Sequence, residues 1–518
     1  MKLDFETYRD KVMGCWAGKN IGGVLGAPFE GKRGMPQVDF YAQDLTQGPP
    51  PNDDLDLQIV WLAAVERYGR NVDASILGEY WLSYVLPNWV EYGTGKANLR
   101  AGLVPPISGY LDNVYANSCG CFIRSEIWAC LCPGHPELAA RYAYEDAIVD
   151  HAGEGMYGEI FFAALQSAAF VVSDRDALID IGLSYIPQDC AVARAVRCAR
   201  ECHAAGLSLK EARLRVHNTA PGTFGIQGRR LSQLPQQDNE GMELGAPGFD
   251  APENVAFAIV GWLWGEGDFG QALCAANACG EDTDCTCATL GATLGIIMGA
   301  KALPERWTKP LDDKISTLCI DKTSGGVWVP GTVTELTERV LRVTPGFLGA
   351  QLCDVLAPGG YSIECREPGE CACARADDLL PSLGGLGTGR VLEARELCAL
   401  GPDVIRKDFV AFSVRVDLMG SPFLDEDGHK RVRVTVINAD EMRQQQWARL
   451  TLYLPEGVTA VGARQYVLPL NNLRGSKAEA EFELDASLYA AGRVDAIVDV
   501  ALEGRHSYGC VKLVLMRR

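Results

Sequence analysis

The chain has 518 residues, of which 47% are hydrophobic, and carries a formal net charge of −19 at pH 7. This length and composition fit two or three globular domains with substantial cores. The acidic charge argues against generic nucleic-acid binding, because proteins that bind the phosphate backbone usually present a basic surface. It is compatible with carboxylates that gather around divalent cations.

The N-terminal residues predict the polar start of a helix rather than a signal peptide, because no apolar stretch follows them. No apolar run reaches the roughly 18 residues of a membrane span, so we expect no transmembrane helix and no membrane partner. Nineteen cysteines without a secretion signal predict reduced, mostly buried thiols of a cytoplasmic protein. The sequence leaves the oligomeric state open.

Residues 1–310 are predicted to be mainly helical, because apolar residues recur there at helical spacing. The clearest predicted helices cover residues 74–84, 136–149, 158–172 and 191–205. A further helix is predicted over residues 334–343, ended by the following Pro345 and its glycine neighbour. Residues 218–252, rich in Gly, Gln and Pro, are predicted to form a long loop bordering a site.

The C-terminal part has the pattern of β-strands. Alternating or β-branched segments separated by turn signals occur at residues 409–418, 431–437, 448–454, 480–484, 496–502 and 510–516. Short strands at this spacing predict an antiparallel β-sandwich. We therefore predict a multidomain protein, with an all-α domain at residues 1–355 and a β-rich domain at residues 356–518.

A first acidic position follows a glycine-rich stretch near the N-terminus. Gly14, Gly18 and Gly22 recur every four residues, which gives a helix a flat stripe that another helix can approach closely. Gly26 and the nearby proline predict the end of this helix and leave Glu30 at the start of a loop. Considered alone, the pattern favours an ordinary, tightly packed helix with an exposed glutamate.

A second acidic segment precedes an apolar helical run. Asn52 or Asp53 is a suitable N-cap, and acidic residues suit the positive end of a helix dipole. The three acids Asp53, Asp54 and Asp56 exceed what capping requires. Because neighbouring carboxylates repel each other, a divalent cation would relieve the repulsion.

A third acidic segment contains Asp282 and Asp284 and leads into a helix with Gly291, Gly295 and Gly299 at four-residue spacing. Capping explains these acids about as well as metal binding does. Helix starts that are distant in sequence can nevertheless meet where their helices pack closely. If these helices pack closely, their N-termini would present the acids to a shared cation site.

Together the three segments resemble motifs of the ADP-ribosylglycohydrolase family, over roughly residues 8–310. Residues 22–30 are similar to the family's Gly-Asp-x-x-Gly-x-x-x-Glu, and residues 52–54 resemble its Ser/Thr-Asp-Asp-Thr. Residues 280–285 resemble its Gly-x-Asp-Thr-Asp-Thr, followed by the expected glycine-rich helix. The resemblance implies an all-helical domain that holds one or two magnesium or manganese ions.

The resemblance also implies roles for individual residues. Metal-ligand positions fall on Asn52, Asp53, Asp54, Asp282 and Asp284. Glu30, Asp53 and Asp54 are predicted to be catalytic, with Glu30 contacting substrate or acting in acid–base chemistry. Substrate-binding positions fall on Asn117, Arg124, His151 and Tyr157. Considered alone, a histidine such as His151 is more often structural.

The chain departs from the family pattern at four positions. Cys285 stands where the family has a threonine ligand, and thiols are poor ligands for hard cations. Asn52 replaces a hydroxyl residue but still offers an amide oxygen. Leu55 and Gly23 replace a threonine and an aspartate. These differences leave both the metal count and the substrate open.

The leading hypothesis is a metal-dependent hydrolase that cleaves the anomeric N- or O-glycosidic bond of ADP-ribose or a related ribosyl group. Such a reaction passes through an oxocarbenium-like state, and cations can orient the sugar and activate water. The expected partner is a small-molecule or ADP-ribosylated substrate. One alternative is a glycosidase for a furanose-containing glycan or small furanoside, and another is a catalytically degenerate binding protein.

Overall fold

The computed structural model describes residues 1–32, 34–219, 249–323, 326–373, 400–409, 412–438, 445–471, 476–503 and 508–517. The chain divides into two compact units. The first comprises residues 1–99 and 108–386, and the second comprises residues 100–107 and 387–518. A domain boundary after residue 355 stays a prediction.

The first unit is mainly helical, as predicted. The helices of the described residues are α1 (Phe5–Gly26), α2 (Asp56–Tyr68), α3 (Ala74–Tyr84), α4 (Val90–Arg100), α5 (Ile107–Tyr110), α6 (Ser125–Leu131), α7 (Pro136–Ala147), α8 (Gly153–Ala168), α9 (Arg175–Ser184), α10 (Ala191–Ala204), α11 (Leu209–Thr219), α12 (Ala251–Trp264), α13 (Phe269–Asn277), α14 (Thr283–Met298), α15 (Glu305–Thr308) and α16 (Val333–Leu348). Within the described ranges, none of them is long and apolar enough to cross a membrane.

One helix prediction and one loop prediction need comment. The predicted stop at Pro345 is wrong, because α16 continues through it to Leu348. Proline removes the N–H that would reach the carbonyl of Leu341, and the hydroxyl of Tyr361 donates to that carbonyl instead, at 2.8 Å. Of the loop predicted over residues 218–252, residues 220–248 lie outside the described residues.

Helices α1 and α14 pack against each other in antiparallel directions at backbone contact. A Cβ atom at Gly295 would lie 1.9 Å from the carbonyl oxygen of Gly14, and one at Gly26 would lie 2.3 Å from that of Thr283. The predicted close approach along the glycine stripe is therefore confirmed. Its consequence is that the C-terminal end of α1 meets the N-terminal end of α14, where two of the acidic segments lie.

The first unit also contains a small antiparallel sheet that the sequence did not predict. Its strands are β1 (Lys2–Asp4), β2 (Cys353–Asp354) and β3 (Ser362–Glu364), in the order β1-β3-β2. This sheet joins the N-terminus to the segment that follows α16.

The second unit contains two antiparallel sheets that share one core, which confirms the predicted sandwich-like fold. Its strands are β4 (Val404–Asp408), β5 (Phe412–Asp417), β6 (His429–Asn438), β7 (Gln446–Tyr453), β8 (Thr459–Val461), β9 (Gln465–Leu470), β10 (Lys477–Asp485), β11 (Arg493–Leu502) and β12 (Tyr508–Met516). The strand orders are β4-β5-β6-β10-β8 and β12-β11-β7-β9. Alternate residues of both sheets, such as Val434 and Val498, point into the core.

Candidate active site and metal centre

The acidic segments of the first unit meet at one pocket of about 400 Å³. The loop after α1, the turn before α2, the start of α4, the segment before α6 and the start of α14 all contribute to its wall. The carboxylate residues among the described lining residues are Glu30, Asp53, Glu91, Asp282 and Asp284. Residues separated by more than two hundred positions in the chain therefore face the same small volume.

Three of these carboxylates form a tight group. One oxygen each of Glu30, Asp282 and Asp284 lies within 4.8 Å of the others. Burial, followed by the carboxylates of Asp54 and Glu30, raises the pKa of Asp284 well above its usual range. Glu30 is exposed on one side, yet partial enclosure and then Asp282 and Asp53 raise its pKa to about 8. Such a group requires either protons or a cation.

Among these acids, the carboxylate of Asp54 has the strongest need for a proton or a cation. Its residue is 2% exposed, and neither carboxylate oxygen accepts a hydrogen bond from any described residue. Burial raises its pKa to about 7, with Lys19 opposing the shift and Asp53 and Asp282 adding to it. A buried carboxylate without donors is costly unless it is protonated or bound to a cation.

Asn52 and Asp53 link the second acidic segment to its surroundings. The amide oxygen of Asn52 accepts from the backbone N–H of Asp54 at 2.7 Å, and its amide nitrogen donates to Asp284 at 3.4 Å. The hydroxyl of Tyr92 donates to Asp53 at 3.0 Å. The structure thus brings all five predicted metal-ligand residues together. This set of carboxylate and amide oxygens fits a hard divalent cation.

Gly23 faces the same group from α1. A Cβ atom at this position would lie 3.0 Å from an oxygen of Asp54 and 3.1 Å from the amide nitrogen of Asn52. The aspartate that the family motif has here would therefore point at the acidic group. With glycine at position 23, the site has one carboxylate fewer than the family motif would provide.

Two thiols complete one side of the pocket. Cys119 donates to Asp282 with a sulfur–oxygen distance of 2.7 Å. The sulfur atoms of Cys119 and Cys285 and one oxygen of Asp282 all lie within 4.8 Å of one another. Cys285 was predicted to lie beside the ion, whereas Cys119 was not predicted, although it lies within the same stretch as Asn117 and Arg124.

Asp56 has a different role from its neighbours. It is buried and accepts hydrogen bonds from the backbone N–H groups of Leu318, at 2.6 Å, and Cys319. Because Leu318 lines the pocket, Asp56 fixes one of its walls.

The four predicted substrate-binding residues are not among the described residues that line the pocket. Asn117 accepts from the backbone N–H of Glu154 at 3.0 Å, at the start of α8. Arg124 is fully buried and pairs with Asp146 and Asp150. Tyr157, on α8, is half-buried and also outside the described lining.

His151 approaches the pocket through one intermediate residue. Its Nε2 atom lies 2.8 Å from the hydroxyl of Ser118, which lines the pocket, and its Nδ1 atom lies 2.9 Å from Asp150. The three side chains form a buried chain from carboxylate to imidazole to hydroxyl. His151 therefore contacts one residue of the pocket lining, Ser118.

The start of α4 supplies pocket residues that the sequence analysis missed. Trp89 is 50% exposed, and its ring stacks on that of Tyr92 at 6.4 Å and 22°. Glu91 is buried, which raises its pKa to about 7, while His151 opposes the shift. In the sequence, a Trp-Val-Glu-Tyr helix start looks the same as an ordinary amphipathic helix, so only the long-range contacts identify it.

Comparisons with known proteins identify the family of this chain. One solved structure, described as an "ADP-ribosylglycohydrolase-related protein complex", is 18% identical, with a TM-score of 0.38, and the match covers 66% of this chain and 99% of that chain. No curated protein matches the chain significantly. The family model described as ADP-ribosylglycohydrolase matches residues 4–344, which is more than half of the chain. The chain therefore belongs to the ADP-ribosylglycohydrolase family, and this membership supports a glycohydrolase activity in general terms.

Proposed function

We propose that the protein is a divalent-metal-dependent hydrolase that cleaves the anomeric N- or O-glycosidic bond of ADP-ribose or a related ribosyl group. The observation that carries the proposal is the buried carboxylate of Asp54, which lacks hydrogen-bond donors among the described residues and lies beside further acids. Family membership supports the class of chemistry. The acidic group supports the position proposed for the metal.

The proposed cofactor is Mg²⁺ or Mn²⁺, as one or two ions. The residues that would hold it are Asn52, Asp53, Asp54, Asp282 and Asp284. Their carboxylate and amide oxygens are the hard ligands that these ions prefer. When bound, such ions supply Lewis-acid polarisation and lower the pKa of water.

Glu30 is the proposed acid–base residue. It lines the pocket while keeping contact with solvent, so it can exchange protons with water. Without a cation, enclosure and the neighbouring carboxylates raise its pKa to about 8, and a carboxyl group whose pKa lies near neutral pH is suited to acid–base chemistry. Asp53 and Asp54 are the other proposed catalytic residues, because a carboxylate-rich pocket stabilises an oxocarbenium-like state.

The predicted substrate residues are proposed to act mainly by positioning the pocket wall. Asn117 fixes the start of α8, and Arg124 holds Asp150, which in turn orients His151 towards Ser118. A direct substrate contact by Tyr157 stays a prediction.

One observation favours the alternative substrate, a neutral furanoside or furanose-containing glycan. The described lining of the pocket has five carboxylate residues and no Lys, Arg or His. An anionic diphosphate would be repelled by this wall unless bound cations offset the charge. A neutral sugar meets no such penalty.

A hydrolysis screen tests the proposal. The protein, supplemented with Mg²⁺ or Mn²⁺, is incubated with ADP-ribosylated compounds and with neutral furanosides, and released sugar is measured. We expect turnover that chelator abolishes and that Asp54→Asn removes, whereas the surface variant Asp312→Asn retains it. Tight binding of one of these compounds without turnover would support the degenerate binding protein instead.

A further inference from the structure

We propose that Cys119, Cys285 and Asp282 form a thiolate-containing site for a borderline-soft divalent cation, with Zn²⁺ the expected ion. The site lies in the wall of the same pocket. It rests on the proposed function only through the shared ligand Asp282, and it assigns to this chain a metal preference that the hard-cation site does not have.

The distances between the ligand atoms are close to those around one ion. Zinc binds sulfur at about 2.3 Å and carboxylate oxygen at about 2.0–2.2 Å, so two tetrahedral ligands of one ion lie about 3.6–3.8 Å apart. The three ligand atoms here lie within 4.8 Å of one another, and the Cys119–Asp282 pair is at 2.7 Å. Small side-chain movements would bring all three atoms around a common centre.

The environment of the Asp282 carboxylate is a second observation that supports a bound cation. Asp282 is buried, and its Oδ1 atom accepts no hydrogen bond from the described part of the chain. Its other oxygen contacts the thiol of Cys119 rather than a stronger donor. A cation bound by both side chains would satisfy this carboxylate, which a thiol, as a weak donor, does poorly.

The two cysteines differ from other buried cysteines nearby. Cys121 donates to the backbone carbonyl of Gly155 at 2.9 Å, and Cys287 donates to that of Leu273 at 3.5 Å. Such contacts are typical of inert thiols packed as small apolar groups. Cys119 instead faces a carboxylate and has a second thiol within reach.

Metal binding converts both thiols to thiolates. Each sulfur releases one proton to solvent and donates an electron pair to the ion, so two protons leave for each zinc bound and no electron transfer is needed. Thiolates favour zinc over magnesium and manganese. Three protein ligands also leave one position open on the pocket side, as in catalytic rather than structural zinc sites.

Metal analysis of the full-length protein tests the assignment. The protein is purified under reducing conditions, stripped with a chelator, and exposed to Zn²⁺ in the presence of excess Mg²⁺. We expect about one zinc per chain to be retained. Substitution with Co²⁺ should give a thiolate-to-cobalt charge-transfer band in the near ultraviolet.

Matched variants locate the ligands. Cys119→Ser and Cys285→Ser should each weaken zinc binding by about tenfold or more and reduce the cobalt band. Cys287→Ser and Cys121→Ser remove buried thiols outside the proposed site and should keep both signals. Thermal unfolding of each variant shows whether it is folded. If a serine variant fails to fold, Cys285→Thr, which restores the family's residue, provides the same test.

Three results would overturn the assignment: no zinc binding by the parent, zinc retained at parental affinity by a folded variant that combines Cys119→Ser with Cys285→Ser, or a cobalt protein without the charge-transfer band. The measurements of zinc binding and of the cobalt spectrum do not depend on turnover. Hydrolysis with Mg²⁺ and no zinc binding would uphold the proposed function and reject the thiolate site. Zinc binding by the thiols without hydrolysis of any glycoside would uphold the thiolate site and reject the proposed function.

Discussion

Gly18 and Gly291 face each other across the contact between α1 and α14. A Cβ atom at Gly18 would lie 2.0 Å from the carbonyl oxygen of Gly291, and one at Gly291 would lie 2.2 Å from that of Gly18. The atoms in the way are backbone, so a side chain at either position must push the helices apart. This contact positions the two helix ends that carry Glu30 and Asp284.

Gly18→Ala should therefore destabilise the protein by about 1–3 kcal/mol through overpacking, despite the better helix propensity of alanine. Gly346 is the matched control, because it lies inside α16 and a Cβ atom there would meet nothing within 4 Å. Gly346→Ala should be neutral or stabilising by up to about 1 kcal/mol. Denaturant unfolding measures both, and equal stability of the two variants would contradict the close helix contact.

Glu30→Gln should lower turnover by about 10²–10⁴-fold while folding and metal content stay at the parental level. Glutamine keeps the size and hydrogen-bonding capacity of the side chain but cannot exchange a proton. Glu79→Gln, at an exposed position of α3, is the control and should retain activity. Full activity in a well-folded Glu30→Gln protein would move the catalytic role to Asp53, Asp54 or His151.

Cys285→Thr should increase the occupancy of Mg²⁺ or Mn²⁺ at the acidic group. A hydroxyl oxygen is a better ligand for these ions than a thiol, and Cys285 lies within reach of Asp282. Titration with Mn²⁺ followed by electron paramagnetic resonance measures the change. Unchanged occupancy would mean that Cys285 does not limit binding of the hard cation.

Glu145 allows a prediction of pH dependence away from the pocket. Burial, followed by the carboxylate of Asp73, raises its pKa to about 8, although the backbone N–H of Ala74 donates to it at 3.0 Å. The native state therefore keeps a proton that the unfolded state releases near 4.5. Stability falls as pH rises between these values, by at most about 1.4 kcal/mol per pH unit.

Glu145→Gln should flatten this dependence, because glutamine does not titrate in either state. Urea midpoints at several pH values between about 5 and 8 should decline less steeply for the variant than for the parent. Other buried acids titrate in parent and variant alike, so the difference between the two curves isolates Glu145. Parallel curves would show that Glu145 is ionised in the native protein.

Local sequence patterns predicted the secondary-structure elements that are determined by interactions within the element itself. Helix α3 has the predicted bounds because Asp73 caps its start, accepting from the backbone N–H of Ile76, and its apolar residues keep helical spacing. Strands β8 and β9 were missed, since β8 has only three residues and β9 contains Pro469 at a sheet edge.

The site was predictable where motifs are short and acidic, and not where it depends on tertiary contacts. Asp54 and Asp282 were identified from their own segments. Cys119 was recognised as a residue of the candidate site only from its contact with Asp282, which lies 163 positions away in the sequence. A substrate role for Arg124 and His151 stays a prediction, and no spacing rule reveals their contacts with Asp146, Asp150 and Ser118.

Asp54→Asn should have opposite effects on the protein with and without metal. In chelator, the parent keeps a buried carboxylate without hydrogen-bond donors among the described residues, so neutral asparagine should leave stability unchanged or raise it. With Mn²⁺ at about 100 times its Kd, the parent should gain about 2.7 kcal/mol, because the ion binds the folded state alone. The variant loses a ligand and should show little of this gain. Thermal unfolding of both proteins, with chelator and then with Mn²⁺, measures the four values, and an equal metal-induced rise in Tm for parent and variant would remove Asp54 from the metal site.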